Sequence, residues 1–150
     1  MTMEVFKERI NDALTFAEKT AANLANETGL ELKSIHNWKN GENYPNLSAL
    51  LILVDYFDVT TDYLLGLDNC EDDKGRKGVT VEEAQSKIVK ILKVYLEENE
   101  IKKNRLARLL KTKQTTVSHW LEDGIIPRTY MLIRISNLLN KPLDELLGRK

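Results

Sequence analysis

The sequence has little of what secreted and membrane-bound proteins require. Its one cysteine, Cys70, excludes a disulfide bond within the chain, which favours a reducing compartment. No apolar run approaches the roughly 18 residues that a membrane-spanning helix needs. The opening stretch, MTMEVFKERI, carries charges of both signs where a signal peptide would have an apolar core. We therefore expect a cytoplasmic protein that has no contact with a membrane.

Side chains that would indicate an enzyme or a metal site are also scarce. The chain has two histidines, His36 and His119, and neither stands at metal-ligand spacing from the other or from Cys70. No glycine-rich loop is present to hold a phosphate, and the carboxylates stand in no catalytic setting. The sequence therefore predicts no catalysis, no metal, no cofactor and no small-molecule ligand. We interpret Cys70 as a bystander thiol.

What the sequence does contain is an ungapped internal repeat. The segment Lys102–Pro127, KKNRLARLLKTKQTTVSHWLEDGIIP, matches Thr20–Pro45, TAANLANETGLELKSIHNWKNGENYP, at an offset of 82 residues. A repeat period this long indicates duplicated domains, because solenoid repeats are about 20–50 residues long. We expect one domain over residues 1–67 and a second over 80–150, joined by a polar linker over 68–79.

Helical periodicity and capping signals divide the first copy into five helices. Their predicted bounds are about 3–18, 21–27, 31–39, 47–57 and 61–65. Thr20 is a predicted N-cap, and Gly29 is predicted to end the second helix in a left-handed conformation. In the second copy, Thr80 and Glu83 have the form of a capping box, and Pro142 falls in the first turn of the last helix.

The two copies carry opposite net charge. Residues 1–67 contain 5 Lys/Arg and 10 Asp/Glu, whereas residues 80–150 contain 14 Lys/Arg and 9 Asp/Glu. The first copy is therefore acidic at −5 and the second is basic at +5. Because affinity for DNA comes largely from neutralised phosphates, the second copy has the better electrostatics for binding nucleic acid.

Each copy resembles the Cro and phage-repressor (Xre-like) family of helix-turn-helix DNA-binding proteins. The positions that carry the resemblance are a small residue in the first helix of the motif and then an aliphatic residue and a tryptophan in the second: Ala25/Ala107, Ile35/Val117 and Trp38/Trp120. Two short helices cross closely only if the contact residue is small, and we expect both tryptophans in the core. The resemblance implies an all-α fold of two tandem five-helix, lambda-repressor-like helix-turn-helix domains joined by a short polar linker.

The resemblance also implies a DNA-contact surface. In this family the second helix of the motif enters the major groove, and the N-terminus of the preceding helix faces a phosphate. In the second copy the groove-facing residues would be Lys113, Gln114, Thr115, Ser118 and His119, and the phosphate-facing residues Lys102, Lys103, Asn104 and Arg105. In the first copy the equivalents are Glu31, Leu32, Lys33, His36 and Asn37, with Asn40, Asn43 and Tyr44 in the loop. Gln114 would bond adenine through two atoms.

The sequence departs from the family pattern at the turn and beside the phosphate. The turn glycine is kept as Gly29 but is Lys111 in the second copy, where a left-handed backbone would cost about 1–2 kcal/mol. Ala21 and Lys103 stand where the family commonly has glutamine. The first copy matches the family's residue pattern better, whereas the second copy has the more favourable net charge for binding DNA.

The resemblance and the charge together predict a sequence-specific DNA-binding transcription regulator that reads double-stranded DNA with the helix over 113–121. The resemblance further implies a repressor of phage or mobile-element type. Tandem binding of both copies to one duplex and homodimerisation through the acidic copy are both open. The linker spans about 19 Å as a coil and about 40 Å fully stretched, against roughly 34 Å between successive groove faces. Two other interpretations use the acidic copy to bind a protein: an antirepressor or docking subunit, and an antitoxin.

Overall fold

The computed structural model describes residues 2–67 and 78–149 of the chain. This described part contains ten α-helices and no β-strand, so the predicted all-α class is confirmed. The chain divides into two compact units, Met1–Gly78 and Val79–Lys150. The division falls inside the predicted linker, but residues 68–77, Cys70 among them, lie outside the described residues. No helix of the described part is long and apolar enough to span a membrane.

The first unit is built from five helices. They are α1 (Thr2–Phe16), α2 (Ala21–Thr28), α3 (Leu32–Lys39), α4 (Leu47–Phe57) and α5 (Thr61–Leu65). The α1 helix contacts α3 and α5, and it buries Phe6, Ile10 and Leu14 at helical spacing. The α2 helix packs against α3, and α4 packs against α5. Phe57, the last residue of α4, is only half-buried.

The second unit has its own five helices. They are α6 (Val81–Glu98), α7 (Lys103–Leu109), α8 (Gln114–Glu122), α9 (Thr129–Leu139) and α10 (Leu143–Leu146). The α8 helix packs against α7 and α6, and α10 packs against α6 and α9. Trp38 in the first unit and Trp120 in the second are 4% and 3% exposed, which confirms both as core residues.

Capping interactions fix where several helices begin. Thr20 accepts a hydrogen bond from the backbone N–H of Asn23, and Thr80 accepts one from Glu83, whose carboxylate accepts the N–H of Thr80 in return. Both predicted N-caps are therefore confirmed. The prediction for Pro142 was wrong by one position, because Pro142 is the N-cap of α10 and lies just before its first turn. Its missing N–H still costs nothing there, since the N-cap N–H has no partner within the helix.

Left-handed backbone positions recur between the two units at the offset of the sequence repeat. The pairs with positive φ that are 82 residues apart are Glu18/Glu100, Gly29/Lys111, Asp58/Asn140 and Gly66/Gly148. Such a conformation is unfavourable for any residue with a side chain, so it is seldom adopted without a turn that requires it. The units therefore turn at corresponding places even where the residue types differ.

Candidate nucleic-acid interface

The centre of the candidate site is the pair of helices α7 and α8. Leu106 and Ala107 of α7 are buried, as are Val117 and Trp120 of α8. The small side chain of Ala107 lets the two helices approach closely, and the two large apolar side chains hold α8 against the core. This packing leaves the opposite side of α8 exposed, including Gln114, Thr115 and His119.

The turn between these helices has the left-handed residue that the repeat predicts. Lys111 has φ 58°, at the position equivalent to Gly29 with φ 79°. The N–H of Thr112 donates to the carbonyl of Ala107 at 2.9 Å, and the N–H of Lys111 donates to that of Arg108 at 3.1 Å. This pair of bonds is the Schellman arrangement, which normally has glycine at the left-handed position. The lysine therefore keeps the turn geometry at the cost of backbone strain.

An arginine from α9 holds the same turn, and the sequence reasoning missed it. Nη1 of Arg134 donates to the carbonyl oxygen of Leu110 at 3.1 Å and, more weakly, to that of Lys111 at 3.5 Å. The guanidinium lies 5.3 Å from the ring centroid of Tyr130, which orients it further. The carbonyl groups of the α7 C-cap residue and of the left-handed turn residue thus share one donor.

The other end of α8 is held by α6. The side-chain amide of Gln85 donates to the carbonyl oxygen of Trp120 at 3.2 Å and to that of Ile125 at 3.4 Å. Sequence reasoning also missed Gln85, because these partners are 35 and 40 residues away and no local pattern signals them. Arg134 at the turn before α8 and Gln85 at its far end therefore hold both ends of the helix in place.

Four of the predicted DNA-contact residues line one surface depression. Lys102, Lys103, Asn104 and Gln114 surround it together with Leu96, and its volume is about 450 Å³. Lys102 is the N-cap of α7, and Gln114 is the first residue of α8, so the depression lies where the two helices begin. The structure thus brings predicted phosphate-facing residues next to the predicted base-reading residue. Arg105 is also exposed, one residue further along α7.

One cation of this group is already paired. Nζ of Lys103 lies 2.6 Å from Oε2 of Glu122, and the two side chains are 33% and 56% exposed. The pair joins the start of α7 to the end of α8. In the free protein Lys103 is therefore paired with the Glu122 carboxylate, which would compete with a DNA phosphate for the same ammonium group. The charge count alone does not reveal this competition.

The exposed face of α8 carries a second polar pair. Nδ1 of His119 lies 2.7 Å from Oδ2 of Asp123, the C-cap residue of the helix. Lys113 is the exposed N-cap, and Ser118 is half-buried. The i,i+4 spacing of His119 and Asp123 is a local signal that could have identified Asp123. In the described part of the chain, no three His, Cys, Asp or Glu side chains are grouped to hold a metal ion.

The corresponding residues of the first unit are less uniform. Lys33, His36 and Asn40 are exposed, whereas Asn37 is half-buried. Tyr44 is also half-buried, with its ring centroid 5.5 Å from that of Phe6, so its ring contributes to packing. The remaining members of the predicted set are exposed: Glu31, Leu32 and Asn43.

In the second unit, the fold and this arrangement are those of a helix-turn-helix domain. Residues 92–146, from the middle of α6 to the end of α10, match the helix-turn-helix family model HTH_3. The resemblance seen in the sequence is therefore confirmed for this segment, and a domain of this kind indicates a DNA-binding transcription regulator. No curated protein and no solved structure matches the chain.

Proposed function

We propose that the chain is a sequence-specific repressor of phage or mobile-element type, and that α8 enters the major groove of its DNA site. The observation that carries this proposal is the depression where Lys102, Lys103 and Asn104 meet Gln114. It joins cations suited to a phosphate with an amide suited to a base edge, at the two helix N-termini that face DNA in such motifs. The net charge of +5 over residues 80–150 also favours the second unit as the part of the chain that binds DNA.

In this proposal the two ends of the depression have different tasks. Lys102 and Arg105 bind the phosphate backbone and set the register of α7 on the duplex. Gln114, at the start of α8, donates to and accepts from the edge of an adenine. Thr115, Ser118 and His119 follow on the same helix. Occupancy of a promoter then blocks polymerase, which is how such a protein represses.

The experiment is selection from a random duplex pool with the full-length chain, followed by binding titrations on the selected site. Gln114→Ala should lose discrimination at one position of the site. Lys102→Ala should weaken binding to all sequences and lower the slope of log K against log salt by about 0.9. Lys90→Ala removes the same charge from the exposed face of α6 and serves as the control, with the slope unchanged. Failure of the chain to enrich any sequence would refute the proposal.

We further propose that the first unit is a second helix-turn-helix domain with weaker affinity for DNA. The four left-handed positions that recur at the 82-residue offset support a common backbone path. The net charge of −5 over residues 1–67 opposes phosphate contact there. Replacing Lys33 and His36 by alanine together should therefore change DNA affinity less than Lys102→Ala alone. A larger effect in the first unit would contradict this assignment.

A specific observation favours a second role, contact with a protein through the first unit. Phe16 is 93% exposed at the end of α1, and Leu32 is 43% exposed at the start of α3. Exposed large apolar side chains on an acidic domain suit a protein partner better than DNA. The partner would be a second copy of the chain, another regulator or a toxin. Sedimentation of the wild type and of Phe16→Ser identifies the first case, because only self-association would weaken in the purified variant.

A further inference from the structure

The hydrogen bond between His119 and Asp123 determines which nitrogen of the imidazole carries the hydrogen. Nδ1 of the imidazole and Oδ2 of the carboxylate are 2.7 Å apart, and both side chains are 57% exposed. An ionised carboxylate can only accept hydrogen bonds, so the shared hydrogen belongs to Nδ1 of the histidine. In a neutral imidazole the other nitrogen, Nε2, is then an acceptor.

We propose that Asp123 is a positioning residue that makes His119 an acceptor-type reader of base edges. The inference rests on the proposed function, in which α8 lies in the major groove. There the groups that donate to an acceptor are the amino groups of adenine and cytosine. Guanine and thymine present carbonyl oxygens, which would face the lone pair of Nε2. One position of the DNA site should therefore favour adenine or cytosine over guanine or thymine.

The pairing also accounts for two carboxylates on a surface that faces a polyanion. Asp123 is bonded to His119, and the neighbouring Glu122 is bonded to Lys103 on α7. Each carboxylate therefore acts on a side chain that contacts DNA. Because Asp123 acts through the imidazole, replacing it should remove the base preference at that one position rather than abolish DNA binding.

The tautomer can be measured in the free, full-length protein. Nitrogen-detected NMR at pH 8 distinguishes a protonated Nδ1 from a protonated Nε2. The chain has two histidines, and His36→Gln leaves only the signal of His119. The inference requires the Nδ1–H form in the wild type and a larger share of the Nε2–H form in Asp123→Asn, because an asparagine amide can also donate. A wild-type imidazole that is mainly Nε2–H would overturn the inference without any DNA experiment.

Base selection then tests the consequence. The wild type should favour adenine or cytosine at one position by about fivefold, the size of one net hydrogen bond. His119→Ala and Asp123→Asn should lose that preference and keep the position that Gln114 reads. Asp123→Glu, which keeps a carboxylate, should retain part of it. If neither His119→Ala nor Asp123→Asn changes the base preference at any position of the site, this inference alone is overturned. If the wild type selects no site, the proposed function is overturned as well.

Discussion

Replacing Glu122 by glutamine should strengthen DNA binding and make it more sensitive to salt. In the free protein Nζ of Lys103 lies 2.6 Å from the Glu122 carboxylate. A partly exposed pair of this kind contributes only about 0–1 kcal/mol to folding, so its loss should leave the unit folded. Glutamine keeps the length of the side chain and removes its charge. Lys103 then becomes available to neutralise a phosphate at the start of α7.

The size of the effect follows from counterion release. Each additional neutralised phosphate steepens the slope of log K against log salt by about 0.9. Over a fourfold change in salt, from about 50 to about 200 mM, the affinity of the variant should fall about 3.5-fold more than that of the wild type. Fluorescence anisotropy with a labelled duplex, at several salt concentrations, measures this difference directly.

A matched control separates the local effect from a change in net charge. Glu145→Gln removes the same charge from the same unit, and it releases Lys141, whose Nζ lies 3.6 Å from the Glu145 carboxylate. That pair belongs to the start of α10 and not to the α7–α8 motif, so the salt slope should stay as in the wild type. The reasoning fails if Glu122→Gln leaves the slope unchanged, or if Glu145→Gln steepens it equally.

Three further substitutions test the geometry that supports the site. Lys111→Gly should raise the free energy of unfolding of the second unit by about 0.5–1 kcal/mol, since relief of strain exceeds the entropy that glycine adds to the unfolded chain. Urea titration followed by Trp120 fluorescence, in a chain that carries Trp38→Phe, measures it, and Lys111→Ala should give no gain. Gly29→Ala, where an added Cβ meets nothing within 4 Å, should lower the stability of the first unit by a similar amount, reported by Trp38 in a chain that carries Trp120→Phe. Arg134→Met keeps the aliphatic stem but removes the donor to the turn, and it should cost about 1 kcal/mol of stability while weakening DNA binding; unchanged values for both would exclude Arg134 as a support of the turn.

Local features of the fold could be predicted from the sequence because their causes are local. The capping box of Thr80 and Glu83 needs residues three apart, and it was found where it was predicted. The left-handed turn at Lys111 could be predicted although no glycine is present, because the repeat aligns it with Gly29. The burial of both tryptophans was expected from the packing of the motif that the sequence resembles.

The contacts that position the site could not be predicted in the same way. Arg134 and the carbonyl of Leu110 are 24 residues apart, and Gln85 and that of Trp120 are 35 apart, so no periodic pattern relates them. The pairing of Lys103 with Glu122 likewise depends on how α7 and α8 cross. Charge counting identified the basic unit, but it could not show that one of its lysines is already neutralised.

The two ends of α8 are held differently, and this difference has a consequence for amide exchange. Lys113 makes no side-chain hydrogen bond as the N-cap, whereas Gln85 holds the carbonyl groups of Trp120 and Ile125 at the far end. The first peptide protons of α8 therefore depend on solvent for a partner. A bound duplex would slow deuterium uptake at the first turn of α8 and change the uptake at its last turn far less. The difference in uptake between the two ends would therefore show which end of the helix meets DNA.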